Sequence, residues 1–421
     1  MVKGFWKSGH WPTLVSAFLY FDFCFTIWVL NGVMRPIIAA YLGLDPVKDA
    51  QSISWIANTP VIAGALFRFP LGLLSQYIGR KNAAFVEMTV IIIGLAFGWL
   101  FVTGITGVYI MGVFLGIAGA SFGVALSLGG GWYPPEYKGL AVGIAGAGNS
   151  GAVITMLLAP PIAAYFGHEG WKVVYGVSII FMIIPMIFMA LFAKEPPDRE
   201  RKTLGGYLKV IIEKDAWIFN ISYILTFGGY IGFASFLTTL FVDTYKVDKA
   251  SMGQIPALIA IMASISRVIG GWMADRIGGI YTMFIMTVII TISSFAASTM
   301  PSNISLMTAI LIVLFLGMGA ANGATFQLVP LRWPVTSAIA MSLIGEVGAL
   351  GGGLIAPTMA ASIKSSYGNY MWGFILWGGI GVFVFLMYIY AHRHWTKSFV
   401  GKGGKALNVI QATNPNVNNV S

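Results

Sequence analysis

The 421-residue chain has one cysteine, four histidines and only 10% charged residues, 15 of them acidic. A single cysteine excludes an intramolecular disulfide and any Cys-x-x-Cys pair; Cys24, set between Phe23 and Phe25, reads as a buried packing thiol. His10, His168, His392 and His394 lie outside the apolar runs or at their edges, and no His-Glu-x-x-His is present, so no metal or cofactor is expected. No Walker loop supplies ATP drive, which together with the missing catalytic motifs argues against a membrane enzyme or pump. The shortage of charge is itself informative. With 57% hydrophobic residues and a mean hydropathy of +0.81, the chain is far from soluble globular composition and belongs in lipid. Its net charge of +10 is scattered over short loops and tails, so no nucleic-acid partner is expected.

What the chain has in quantity is glycine, 52 residues, with 18 prolines, a mixture suited to kinked helices in close backbone contact. The apolar run from Thr13 to Leu42 is too long for a signal-peptide core and reads as the first span. Twelve segments approach the length needed to cross the hydrocarbon: 13–42, 52–75, 82–102, 108–132, 139–165, 171–193, 215–242, 251–274, 281–300, 305–328, 334–361 and 370–391. The longest hydrophilic interruption divides them six and six. This predicts an all-α membrane protein with a first half over 1–193, a linker over 194–214, a second half over 215–396 and a mobile, exposed tail over 397–421. Placing both ends in the cytoplasm puts 17 Lys and Arg inside and 5 outside, the asymmetry expected of that orientation in a cell membrane.

Three arginines remain, all within spans: Arg35, Arg68 and Arg267. Arg35 is close enough to the outer end of span 1 to snorkel to the headgroups. Arg68 and Arg267 are deeper, where an arginine costs about 2.5–3.5 kcal/mol to insert and normally faces a bundle interior. They also repeat. Arg68, Gly72, Gln76 and Gly79 align with Arg267, Gly271, Asp275 and Gly278 at an offset of 199 residues. Two arginines at equivalent places in two halves predict one central anion site between them.

Other segments repeat as well. Gly148, Asn149, Gly151 and Pro160 align with Gly345, Glu346, Gly348 and Pro357 at an offset of 197. The glycines suit helix packing, but Asn149 can donate an amide to an anion, whereas Glu346 would repel one unless protonated or paired. Span 10 adds Asn322 and Gln327; Phe122 and Phe326 are placed to flank a small planar ligand; Asn220, Tyr223 and Tyr230 are donors in span 7. Asp22 and Glu87 are further acids within spans, and Glu87, near the inner end of span 3, is expected to pair with a basic residue.

With these residues in hand, the chain resembles a nitrate/nitrite porter of the major facilitator superfamily. The resemblance runs over essentially all twelve spans and is carried by GAGNSG (Gly146 to Gly151) with LLAP (Leu157 to Pro160), by the FRFPLG and SRVIGG arginine segments, and by GMGAANGATFQLVP (Gly317 to Pro330). It implies two pseudo-symmetric six-helix halves rocking about a central site, with Arg68 and Arg267 as the anion clamp. It further implies Asn149 as the signature asparagine, Tyr223 as the span 7 hydroxyl and Phe122 as an aromatic wall. Departures from the family pattern are Glu346 in place of a small apolar residue, Gln76 in place of an acid, and Asp22 within span 1.

The chemistry of the residues is broader than the family. A guanidinium fork offers parallel donors to the coplanar oxygens of nitrate or nitrite, and it fits an organic monocarboxylate equally well. Nitrate/nitrite antiport by a monomer in membrane lipid is the expected activity. Proton-coupled nitrate symport, with Glu346 or Asp22 as coupling acid, is one alternative; an anion-binding membrane sensor without transport is another.

Overall fold

The computed structural model describes residues 4–197, 210, 212–333, 337–365 and 369–405. Among these residues there is no strand, and twelve helices are long and apolar enough to cross a membrane. In the first half they are α1 (Trp11–Tyr41), α2 (Ala50–Ile78), α3 (Arg80–Leu100), α4 (Ile105–Gly130), α5 (Ala141–Tyr165) and α6 (Gly167–Phe192). In the second they are α7 (Lys214–Ala234), α8 (Gln254–Ala274), α9 (Gly279–Ser298), α10 (Ile304–Arg332), α11 (Ala340–Ile363) and α12 (Met371–Trp395). The predicted all-α, twelve-span architecture is therefore present. α1 and α7 are the most enclosed, with 78% and 83% of their apolar windows buried against 33% for α6, so they stand at the centre and α6 on the rim.

The helices along the central axis are interrupted where the site lies. A 3-10 turn breaks α4 at Ala118–Ala120, another breaks α5 at Ala147–Ser150, and a π-helical turn occupies Ile224–Gly228 in α7. Such irregular turns redirect carbonyls and side chains that a straight helix would keep to itself. The span predicted as continuous to 242 also stops at Ala234. It resumes as a separate helix over Leu237–Tyr245, after Ser235 has packed against Gly32 of α1 so closely that a Cβ on Gly32 would stand 2.6 Å from the Ser235 Cβ.

Each arginine helix packs against the glycine-rich helix two further along in its own half. On α10, Gly319 and Gly323 lie against the carbonyls of Ala263 and Arg267, and on α4, Gly116 lies against Pro60 and Gly64 of α2. α2 ends at Ile78 and the helix of α8 runs on past its apolar span to Ile277, each before a repeated glycine whose φ is positive, +91° at Gly79 and +102° at Gly278, a conformation that suits glycine. Beyond Gly79 the Glu195 carboxylate accepts from the Arg80 and Lys81 amides at 2.8 and 2.9 Å, capping the start of α3. Beyond Gly278 the equivalent place is filled by backbone: the short turn Lys402–Gly404 folds back so that Gly403 packs on Gly278. The tail is thus anchored through Lys405 rather than free from Lys397, because Val400, Gly403 and Gly404 are buried. Residues 406–421, most of the predicted linker (198–209 and 211) and the side chains of Lys138, Asp275 and Lys364 fall outside the described residues.

Two expectations about charged residues change. Arg35 does not snorkel. It is 3% exposed, donates from Nε to Thr239 Oγ1 at 2.8 Å across the interface between halves, and lies 5.1 Å over the Phe236 ring. Glu87 has no basic partner among the described residues; it is buried inside the first half, where Oε2 accepts from the Tyr20 hydroxyl. In both cases helix rotation decides which neighbour the side chain meets, and spacing along the sequence does not carry that rotation.

Candidate functional site

Arg68 and Arg267 converge on one ring. The Arg68 guanidinium carbon is 5.2 Å from the Phe122 centroid and that of Arg267 is 5.8 Å from the same centroid. Arg68 is 3% exposed and held from several sides. Its Nε donates to the Gly119 carbonyl at 3.0 Å, an oxygen in the tightened turn of α4, and its Nη1 donates to the Gly345 carbonyl of α11 at 2.5 Å. Trp28 and Phe227 face the guanidinium at 5.4 Å each, and Trp28 is itself fixed by donating from Nε1 to the Pro60 carbonyl at 2.8 Å. Aromatic faces of this kind contribute about 0.5–2 kcal/mol apiece to holding a cation out of water.

Arg267 mirrors this arrangement from the other half. Its guanidinium lies 5.8 Å from the Phe326 ring of α10, and its Nη2 stands 3.8 Å from where a Cβ on Gly146 of α5 would be. Each arginine therefore reaches from its own half into the opposite one, Arg68 to α11 and Arg267 to α5. After these contacts, Arg68 Nη2, Arg267 Nη1 and the Tyr223 hydroxyl are buried polar groups with no well-formed hydrogen bond among the described residues, and Tyr223 lies within electrostatic range of both guanidinium groups. Buried donors are almost always paired, so three orphans gathered around one aromatic wall are a place prepared for an acceptor.

That wall is continuous. Tyr223 stacks on Phe227 at 5.1 Å and 12°, and meets Phe326 edge-on at 5.3 Å; Phe122 contacts Phe326 at 6.0 Å and Phe227 at 6.3 Å. The expectation that Phe122 and Phe326 flank a planar ligand does not hold in this arrangement. A sandwiched ion needs about 7 Å, two contacts of about 3.5 Å, and the two rings touch each other instead. The cavity beside Arg68, bounded also by Gly72, Ser75, Ser127 and Ser342, measures only about 10 Å³, the space of roughly one water. The site is closed.

The remaining predicted residues divide. Asn149 is buried on the 3-10 turn of α5; its carbonyl accepts from the Tyr230 hydroxyl at 3.1 Å and its side-chain oxygen is unpaired. Asp22 is buried and accepts from Ser150 Oγ at 2.6 Å, where a Cβ on Gly148 would stand 2.7 Å from the Asp22 amide nitrogen. Glu346 is half-buried and within electrostatic range of Arg68, but it is the carbonyl of its neighbour Gly345 that Arg68 holds. Asn322 is buried one residue from Gly323, which packs on the Arg267 carbonyl, and its side-chain oxygen has no hydrogen-bond partner among the described residues. Sequence reasoning missed Phe227, Trp28 and the Gly119 and Gly345 carbonyls. The spacing of four from Tyr223 was a signal for Phe227; for the carbonyls there was none, since they depend on helix irregularity.

The sequence over residues 16–357 matches the profile of the Major Facilitator Superfamily. A protein of Bacillus subtilis (strain 168) named nitrite extrusion protein is 26% identical over 370 residues, covering 87% of this chain and 91% of the relative. A Thermus thermophilus protein named probable nitrate/nitrite antiporter NarK1 is 26% identical over 377 residues, covering 81% and 83%. In fold, the xylose transporter XylE from E. coli, solved in a partially occluded inward-open conformation, superposes with a TM-score of 0.74 at 14% identity, over 95% of this chain and 100% of XylE. Twelve spans, an arginine pair repeated between halves and a family match over most of its length establish that the chain belongs to the Major Facilitator Superfamily.

Proposed function

We propose that this chain is a secondary transporter that exchanges nitrate and nitrite across the cytoplasmic membrane by alternating access between two six-helix halves, residues 1–193 and 215–396. The observation that carries the reading is the pair of guanidinium donors, one from each half, that have no hydrogen-bond partner among the described residues and lie within electrostatic range of the Tyr223 hydroxyl. Three fixed donors against a ring of aromatic faces suit a small, weakly hydrated, planar monoanion; a divalent oxyanion would ask for more counter-charge. The names of the relatives from B. subtilis and T. thermophilus point to the same substrates.

In this reading Arg68 and Arg267 clamp the anion, Tyr223 donates to it and Phe122 is the wall both arginines share. Asn149 turns its amide to the ion once the site opens, and Asn322 supports the α8–α10 contact behind Arg267. Both termini are cytoplasmic, the protein works as a monomer in lipid, and it needs no cofactor. Transport, not catalysis, is the activity. The test is flux in proteoliposomes loaded with nitrite and exposed to external nitrate, with and without a pH gradient. Exchange that ignores the gradient supports antiport, and absence of any flux despite nitrate binding would leave an anion sensor.

Glu346 supports a second reading. Its carboxylate has no hydrogen-bond partner among the described residues and faces Arg68 electrostatically, so it is a candidate to carry a proton coupled to nitrate, with Asp22 the lesser one because Ser150 already holds it. Nitrate uptake with internal acidification in liposomes free of nitrite would select this symport reading.

A further inference from the structure

At the end of the bundle away from the termini, a vestibule of about 320 Å³ opens between the halves, lined by the end of α1, the start of α2, the segment 236–249 and the end of α11. Its residues were not absorbed by the central site. Arg35 is its buried cation: Nε is committed to Thr239 Oγ1 at 2.8 Å, while the two Nη groups have no hydrogen-bond partner among the described residues. Lys246 and Lys249 line the same space from the second half. The one acid among the described residues of its wall, Asp243, accepts from the Tyr370 hydroxyl at 2.7 Å and is not within ion-pair distance of Arg35. Three cations therefore line a space with one carboxylate; Asp243 lies within electrostatic range of Arg35, and Lys246 Nζ donates to the Asp243 carbonyl at 2.6 Å.

We propose that this vestibule is a second anion-binding site, in which Arg35 and the two lysines take a small monovalent anion before it passes to the central arginine pair. The inference rests on the anion-transport reading and adds an entry step to it. The fork that suits nitrate at Arg68 is present again at Arg35, with one difference: here the cavity already has room for the ion. Arg35 also pins α1 to the segment after α7 through Thr239, and the Thr238 hydroxyl donates to the Gly32 carbonyl at 3.4 Å beside it. An anion that draws the guanidinium off Thr239 therefore loosens this seam between α1 and the segment after α7.

Nitrate uptake by right-side-out and inside-out membrane vesicles tests the assignment. Arg35→Gln should raise the half-saturation concentration on the vestibule side about tenfold, equivalent to about 1.4 kcal/mol, and leave the opposite side unchanged. Asp243→Asn keeps an acceptor for Tyr370 but removes the opposing charge, and should lower the same constant. Thr239→Val frees the seam but keeps the guanidinium, so it should alter the maximal rate more than half-saturation. Opposite shifts in Arg35→Gln and Asp243→Asn, confined to one side, support a binding site; a wild type that transports nitrate with both constants unmoved overturns it and leaves the central site standing. An arm independent of flux is equilibrium dialysis of nitrate against purified Arg68→Gln/Arg267→Gln protein. One remaining site, lost when Arg35→Gln is added, supports the vestibule, and no remaining site overturns it.

Discussion

Replacing Arg68 by lysine keeps the charge and removes the fork. In the native site one guanidinium serves three directions: Nε to Gly119 at 3.0 Å, Nη1 to Gly345 at 2.5 Å and Nη2 to the orphaned position. A lysine ammonium gathers its donors at one point and cannot meet carbonyls on two helices while also facing an anion. The variant therefore either holds the helices or binds the substrate. A hydrogen bond to a charged group is worth about 1.5–3 kcal/mol, which at about 1.4 kcal/mol per decade predicts half-saturation for nitrate raised roughly 10- to 100-fold. The assay is nitrite-loaded proteoliposomes taking up nitrate in stopped flow, with Arg68→Gln beside Arg68→Lys. If the lysine variant stays within about threefold of wild type, under 1 kcal/mol, while the glutamine variant is inactive, charge alone would suffice and the fork argument would be refuted.

Three further outcomes follow from the same geometry. Tyr223→Phe removes a hydroxyl that has no well-formed hydrogen bond among the described residues and lies within electrostatic range of both arginines, so thermal stability should change little while nitrate affinity measured by calorimetry falls about 2- to 10-fold. Gly345→Ala places a Cβ 2.8 Å from Arg68 Nη1 and 3.4 Å from Phe122, and counterflow should drop sharply in protein that still folds and elutes as wild type. Glu346→Gln should leave nitrate/nitrite counterflow intact; nitrate uptake with internal acidification that this variant abolishes while counterflow is retained would make Glu346 the coupling acid instead.

Much of this was legible in the sequence because membrane burial leaves few polar residues to choose among. Arg68 and Arg267 were identifiable as a pair since a charge in hydrocarbon is costly, and a chain that carries it twice at matching places needs both copies to face a shared interior. Gly79 and Gly278 were legible only as a repeat; that they end the same two helices with positive φ came from the structure. Which groups those arginines hold was not legible. Gly119 and Gly345 contribute carbonyls, which every residue has, and they are presented by a 3-10 turn and a helix face whose rotation depends on neighbours distant in sequence. Arg35 shows the same limit: its place near a helix end is plain from the sequence, but the presence of Thr239 and Phe236 opposite it is a matter of how two halves dock. Glu346 stands out by aligning with Asn149, whereas the contact belongs to the carbonyl one residue before it.

The placement of the two arginines also bears on whether the carrier returns without cargo. Both guanidinium groups approach Phe122, so their separation is on the order of 10 Å, and at an effective dielectric of about 20 their repulsion is roughly 1.7 kcal/mol. The aromatic faces ease the desolvation of each cation but do not cancel the charge of either, and Arg68 has no carboxylate within ion-pair distance among the described residues. A monoanion between the two replaces that repulsion with two attractions, so the loaded closed state is stabilised relative to the unloaded one by more than the repulsion alone. Since about 1.4 kcal/mol is a factor of ten in rate, the unloaded carrier should reorient at least roughly tenfold more slowly than the loaded one. Closure also requires Arg68 to cross to Gly345 and Arg267 to approach Gly146, so neither half can close by itself around one arginine. Counterflow of nitrite against nitrate should therefore outrun net nitrite efflux into nitrate-free buffer by about tenfold or more in the same liposomes; equal rates would mean that the two charges are neutralised by some other group, with Glu346, facing Arg68, the first to examine.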